Sequence, residues 1–322
     1  MFAALRLIEL GKRPVVLERG KDVHGGKKKK FVASDIIFIL TFVVLLVYSL
    51  SLLWLVLWGL TSSFKDYYSD FSLGNAGGFP KKIVFSNYKL VFENFCYEVV
   101  DSSCAYKINA FGLIEYTLLY AVGSAFFTTV TPCVVAYVVS RFGKKYKWLN
   151  VYTSVVLVCL ILPIVGNYPS ELRVVRMLGL YDSIFGIWIM KSHFLSMYYM
   201  VFLGTFSSMS DGYAEAAKID GAGNFTVFFR IYLPLVRNLF FTVMLLQGIY
   251  FWNDFQTPLL YLPTYPTLAY WLYRFTENTK VELSFVPVKA AGAMLLVVPI
   301  FILFAAFNKK MMGNLSLGGL KE

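Results

Sequence analysis

The sequence predicts an all-α integral membrane protein with six transmembrane helices and both termini on the cytoplasmic side. Three observations carry that expectation. Of the 322 residues, 58% are hydrophobic and 18% aromatic, and the mean hydropathy is +0.62. Only 15% are charged, against about 25% in an ordinary soluble domain. Lys and Arg also gather beside particular apolar runs instead of being spread along the chain.

Six apolar spans can be marked, at 35–60, 118–139, 149–165, 184–209, 239–262 and 290–307. Most meet the roughly 20 residues needed to cross a hydrocarbon core. The third is short and the fourth contains Lys191 and His193, so their ends are the least defined. The two polar residues read as side chains that snorkel from near the outer end of the span.

A net charge of +11 would suit nucleic acid, but its distribution indicates topology instead. Nine Lys or Arg lie in residues 1–34, ending in Lys27, Lys28, Lys29 and Lys30 directly before the first span. Arg141, Lys144, Lys145 and Lys147 follow the second span, and Lys309, Lys310 and Lys321 follow the sixth. In the first external segment Lys65, Lys81, Lys82, Lys89 and Lys107 are offset by Asp66, Asp70, Glu93, Glu98 and Asp101. Positive charge beside spans marks the cytoplasmic face. Lipid, not nucleic acid, is therefore the expected surrounding partner.

The organisation follows. Residues 1–34 form a cytoplasmic extension, whose Gly25-Gly26 pair and lysine run read as a flexible linker. Arg6 and Glu9 interrupt its apolar start, which is not the pattern of a cleavable signal. Residues 35–309 form the six-helix domain and 310–322 a cytoplasmic tail. The external segment 61–115 is expected to cap the outer face with short helices. In the external loop 263–285, Trp271, Tyr273 and Phe275 alternate and read as interfacial anchors. Cys96 and Cys104 share the first external segment, where both a disulfide and two free thiols are compatible with the spacing.

The most informative stretch is the polar island 210–237 between the fourth and fifth spans. It runs Tyr-Ala-Glu-Ala-Ala-Lys-Ile-Asp-Gly-Ala-Gly-Asn from Tyr213, then Phe-Thr-Val-Phe-Phe-Arg-Ile-Tyr-Leu-Pro from Phe225. A short helix over Glu215, Ala216, Ala217, Lys218 and Ile219 presents small residues for close packing, with Glu215 near the favoured N-terminal end of the dipole. Gly221 and Gly223 permit the backbone conformations that end such a helix. Pro234 falls where the chain turns toward the fifth span, which it can start or kink. This material suits a knob that docks into another protein better than a catalytic site.

The spacing Glu-Ala-Ala, three residues, Gly, nine residues, Ile-x-Leu-Pro resembles the signature of permease subunits of bacterial ATP-binding-cassette importers. The chain is most similar to the carbohydrate-uptake group that includes the second, shorter permease of the maltose system. The resemblance runs from about residue 35 to the C-terminus, through Asn87-Tyr88, Ala136-Tyr137, Ser140-Arg141, Trp252-Asn253-Asp254, Pro258-Leu259 and Gly318-Gly319-Leu320-Lys321. It departs at the N-terminal extension, at the Cys96–Cys104 segment, and at Met209-Ser210-Asp211-Gly212, where the family usually has a proline.

The resemblance implies a type I importer permease fold in the bacterial inner membrane. It implies a second homologous permease, two cytoplasmic ATPase subunits and an extracytoplasmic solute-binding protein as partners, with sugars or oligosaccharides as solute. Glu215, Ala216, Ala217, Asp220, Gly221 and Pro234 would form the ATPase-coupling element. Gly318, Gly319 and Lys321 would contact the ATPases from the tail. Trp252, Asn253 and Asp254, about 15 residues into the fifth span, read either as a wall of the translocation path or as a helix-packing hydrogen bond. The loop 263–285 would meet the binding protein. No Gly-x-x-x-x-Gly-Lys-Ser/Thr loop occurs, so the chain is expected to hold no cofactor, with ATP and Mg²⁺ on the partner ATPase. Two other readings stand beside this one: the same importer class for a non-carbohydrate solute, and a polytopic membrane enzyme or channel working alone.

Overall fold

A computed structural model describes residues 33–100, 105–162 and 166–315 of the chain. The tail residues Gly318, Gly319 and Lys321, Cys104, and residues 1–32 of the extension lie outside the described residues. The chain divides into two compact units, 1–85 and 86–322.

In the first unit, α1 (Ala33–Ser63) is apolar on every side and has none of its spanning window buried. A helix without a polar face needs lipid or another protein around it. The chain beyond it is knotted by buried polar contacts. Lys65, with no exposed surface, donates from Nζ to the Asn75 and Ala76 carbonyls at 2.8 and 3.0 Å. The Trp58 indole donates to the same Ala76 carbonyl, and the backbone N–H of Lys81 donates to Asp70. A π-helical turn, Tyr67–Phe71, sits inside this knot.

The second unit is helical apart from one hairpin. Its order is α2 (Ser86–Glu93), β1 (Cys96–Val100), β2 (Ala105–Asn109), α3 (Ala110–Phe142), α4 (Trp148–Ile161), α5 (Tyr168–Met177), α6 (Ile184–Lys191), α7 (Met197–Ser207) and α8 (Gly212–Ile219). Then come α9 (Asn224–Asn253), α10 (Gln256–Tyr261), α11 (Leu268–Thr276), α12 (Val281–Ser284) and α13 (Val286–Leu315). The hairpin corrects the expectation of helix alone: β1 and β2 pair antiparallel, with Tyr97 opposite Ile108 and Val99 opposite Tyr106. Val99 and Ile108 are buried, and the Tyr97 hydroxyl meets that of Tyr270 at 2.8 Å. Cys96 is a free thiol opposite Asn109. The pairing of Cys96 with Cys104 falls on residues outside those described.

The helix α3 is the spine of this unit. At about 1.5 Å per residue it extends for roughly 50 Å, and it passes through three buried clusters. Leu113 near its start joins Val91, Val99, Trp271, Phe275, Leu283 and Val288. Tyr120, Ala121 and Ala125 join Ile187, Phe251 and Tyr261. Cys133, Ala136, Tyr137 and Val139 near its end join Tyr199, Phe202, Phe206, Val227, Phe228, Tyr232 and Val236. Trp271 and Phe275 are thus core residues and not interfacial anchors. They lie four apart on α11 and share its buried face, while Tyr273, two residues from each, falls on another face and is only half-buried.

Four described helices are long and apolar enough to cross a membrane by length and composition: α1, α3, α9 and α13. Two expected spans differ in form. The fourth is broken, because α6 stops at Lys191 and α7 starts at Met197 with Ser196 as its N-cap, accepting from Tyr198 N–H. The fifth starts at Asn224 instead of residue 239, so half of the expected polar loop is the beginning of a 30-residue helix. The third, α4, has 14 described residues.

Candidate functional site: the polar loop and its anchor

The loop between α7 and α9 folds as the short helix α8 with distinct inner and outer faces. Ala214 and Ala217, three apart, pack against the buried cluster at the end of α3. Glu215, Ala216, Lys218, Ile219 and Asp220 point away and are exposed. The two alanines of the motif therefore have different neighbours: Ala217 seats α8 on its own chain and Ala216 faces outward. Ile219 is 87% exposed and Phe225 83%.

The far end of α8 closes in a Schellman motif. Gly221 has φ +83°, its N–H donates to the Lys218 carbonyl at 3.0 Å, and the Ala222 N–H reaches back to Ala217 at 2.9 Å. Those two bonds satisfy carbonyls that a helix end leaves open, and only glycine adopts this backbone without a Cβ penalty. Gly223, at φ −72° and ψ 162°, then caps α9 in extended geometry.

Pro234 stands in the first turn of the regular α-helical stretch Leu233–Asn253, within the longer span that begins at Asn224. The preceding turn, Phe228–Tyr232, is π-helical, and the Leu233 N–H donates to Phe228, five residues back. A proline removes the N–H that would bond the carbonyl four residues earlier and crowds that carbonyl. The wide turn takes up that misfit, so the helix runs through.

The near end of α8 is held by Arg141, which the sequence marks only as a cation after the second span and as part of the Ser140-Arg141 element. Arg141, in the last turn of α3, has a side chain only 7% exposed. Its guanidinium donates to the Phe206 carbonyl in the last turn of α7 at 2.6 Å, to the Met209 carbonyl just beyond it at 3.2 Å, and to the Asp211 carboxylate at the start of α8. It also lies 4.4 Å from the Tyr232 ring centre on α9. Lys144 reaches the other Asp211 oxygen at 2.8 Å, and the Tyr232 hydroxyl donates to the Ser210 carbonyl. Hydrogen bonds from Lys144 and Arg141 hold the Asp211 carboxyl below its ordinary value. The charge run after the second span signalled Arg141 as a cation, but its partners lie about seventy residues on.

Trp252, Asn253 and Asp254 end α9 and do three different things. The Trp252 indole donates to the Leu296 carbonyl on α13, and its ring lines a groove of about 870 Å³ with Ala121, Ala125, Phe241, Gly248 and Leu303. Asn253 is exposed and donates to the Ile249 carbonyl. Asp254 accepts from the Tyr120 hydroxyl and the Thr257 hydroxyl at 2.6 Å each, and from the Thr257 N–H. Lys191, at the break in the fourth span, donates to the Thr257 hydroxyl. Asp254 is thus a strut joining α3, α9 and α10.

The family model described as binding-protein-dependent transport system inner membrane component matches residues 23–313. Among curated proteins, the melibiose/raffinose/stachyose import permease protein MelC of Bacillus subtilis (strain 168) is 26% identical, over 64% of this chain and 74% of its own length. The probable starch degradation products transport system permease protein AmyC of Thermoanaerobacterium thermosulfurigenes is 25% identical, over 85% of this chain and 94% of its own. Among solved structures, a chain of a bacterial ABC transporter involved in the import of the acidic polysaccharide alginate superposes with a TM-score of 0.66 at 22% identity. That match covers 88% of this chain and 99% of the other, a likeness of fold.

Proposed function

The chain belongs to the family of binding-protein-dependent transport system inner membrane components, and we propose that it is the permease subunit of an ATP-driven importer for sugars or oligosaccharides. The observation that carries this reading is α8: a short helix packed on the ends of α3, α7 and α9, with Glu215, Ala216 and Ile219 left bare. A partner that moves α8 must move the ends of α3, α7 and α9 with it, which is the rigid-body transmission that alternating access requires. The carbohydrate class is supported by relatives whose names specify raffinose-type sugars and starch products.

In this reading the motor is a pair of cytoplasmic ATPase subunits, with Glu215, Ala216, Asp220 and the Gly221 turn meeting one of them and Gly318, Gly319 and Lys321 reaching them from the tail. A second homologous permease completes the path. An extracytoplasmic binding protein docks on the outer cap, where Lys280, Val281 and Glu282 are exposed at the tip of loop 263–285. The membrane is crossed six times, by α1, α3, α4, the broken α6–α7 pair, α9 and α13, with both ends inside. Trp252 on the groove supports a place on the path, while Asp254 holds the frame of it.

The test is uptake by the four-subunit complex in liposomes with its binding protein, using labelled raffinose, arabino-oligosaccharide and maltodextrin beside spermidine and phosphate. Accumulation of at least one glycan that stops without ATP is expected. Transport of spermidine or phosphate alone would favour a non-carbohydrate importer. Uptake by this chain without the ATPase would overturn the reading.

A further inference from the structure

We propose that Arg141 is the positioning residue that makes the coupling helix α8 move together with α3 and α7, a role that rests on the reading of α8 as the ATPase contact. Covalently, α8 is joined to α9 through Gly221 to Gly223 and to α7 only through residues 208–211. The first link contains two glycines and the second has no regular structure. Neither backbone connection leads to α3, which is distant in sequence.

The guanidinium adds a polar tie between α3 and the start of α8 to the packing of Ala214 and Ala217 on the buried cluster at the end of α3. It sits at the C-terminal end of α7, where a cation is favoured by the helix dipole, and donates to the Phe206 carbonyl in its last turn and to the Met209 carbonyl just beyond it. The same planar group reaches Asp211 in front of α8 and stacks on Tyr232. One buried side chain on α3 therefore touches α7, the start of α8 and α9. The Tyr137 ring, one turn earlier on α3, packs on Phe206, Phe228 and Tyr232 at 5.7, 4.7 and 5.3 Å between centres, so the clamp is set on a rigid aromatic floor. Lysine cannot replace it: a single ammonium lacks the fork that spans carbonyl and carboxylate at once, and lacks the face that stacks.

The test uses the complete reconstituted complex and two readouts, amide hydrogen exchange of 211–219 and stimulation of ATP hydrolysis by the binding protein. In Arg141→Lys and in Asp211→Asn, exchange at 211–219 is expected to rise about tenfold, the scale of losing a charge-assisted hydrogen bond, while the ATPase still co-purifies. Stimulation should fall by a similar factor, and exchange across 240–250 of α9 should stay put. Lys144→Ala, which removes only the exposed contact, should change both readouts less than about twofold. Asp211 is exposed, so Asp211→Asn keeps the test valid if Arg141→Lys fails to assemble. Wild-type exchange, or wild-type stimulation, in both variants would overturn the proposal. Failure of the wild-type complex to retain its ATPase would instead strike the underlying reading, and the proposal with it.

Discussion

Replacing Gly221 with alanine should damage coupling through the backbone alone. The residue sits at φ +83°, and a Cβ built there meets nothing within 4 Å. No clash contributes, and the whole cost is that of an L-residue in the left-handed region, about 1–2 kcal/mol. That shifts the balance between the closed helix end and frayed alternatives by roughly 5- to 30-fold. The bonds from Gly221 and Ala222 to Lys218 and Ala217 loosen with it, and the orientation of Ile219 and Asp220 becomes variable. Asparagine, which visits the same region more easily, should recover most of the loss. Gly223→Ala is the control, because Gly223 is already extended and its Cβ would also be free of contacts. Stimulated ATP hydrolysis and thermal unfolding of the purified complex give the two measurements. If Gly223→Ala hurts as much as Gly221→Ala, or asparagine recovers nothing, the turn is not what glycine is there for.

The two motif alanines should separate: Ala216→Leu is expected to leave thermal unfolding unchanged but release the ATPase on purification. Ala217→Leu should lower the unfolding temperature through about 1–3 kcal/mol of overpacking, and identical behaviour of the two would contradict the inner and outer faces assigned to α8. Asp254→Ala strands the Tyr120 and Thr257 hydroxyls and should destabilise the complex by about 1–3 kcal/mol. A transport defect at unchanged stability would make Asp254 a path residue instead. The Asp211 carboxyl lies below its usual value of 3.8 because Lys144 and Arg141 bond its charged form. A depressed folded value adds stability that is fully present above the unfolded value and lost as pH falls through the folded one. Protection of 211–219, corrected for intrinsic exchange, should therefore be flat down to about pH 5 and fall only below about pH 4. Asp211→Asn should abolish that acid limb, and an unaltered limb would assign it elsewhere.

Much of the architecture was legible because hydropathy is local. The apolar runs at 35–60, 118–139 and 290–307 fall inside α1, α3 and α13, and the Gly221 turn follows from glycine's freedom one residue past a helix of small side chains. Local averaging also explains the misses. A window across 184–209 does not register that Ser192 and Ser196 end one helix and begin another. The start of α9 was placed fifteen residues late because Arg230, Arg237 and Asn238 lower the mean hydropathy without interrupting the helix. Trp271 and Phe275 looked like surface anchors until their faces were known.

By itself, the sequence determined that this chain lives in a membrane, where its long helices run, and that a compact alanine–glycine element projects between two of them. Those properties depend on the character of neighbouring residues. Only the tertiary structure decided which alanine faces inward, why Asp254 holds the frame, and that Arg141 binds α7, α8 and α9 at once. Each of these depends on groups brought together across about fifty or more residues of chain, and a one-dimensional pattern carries no distance between them.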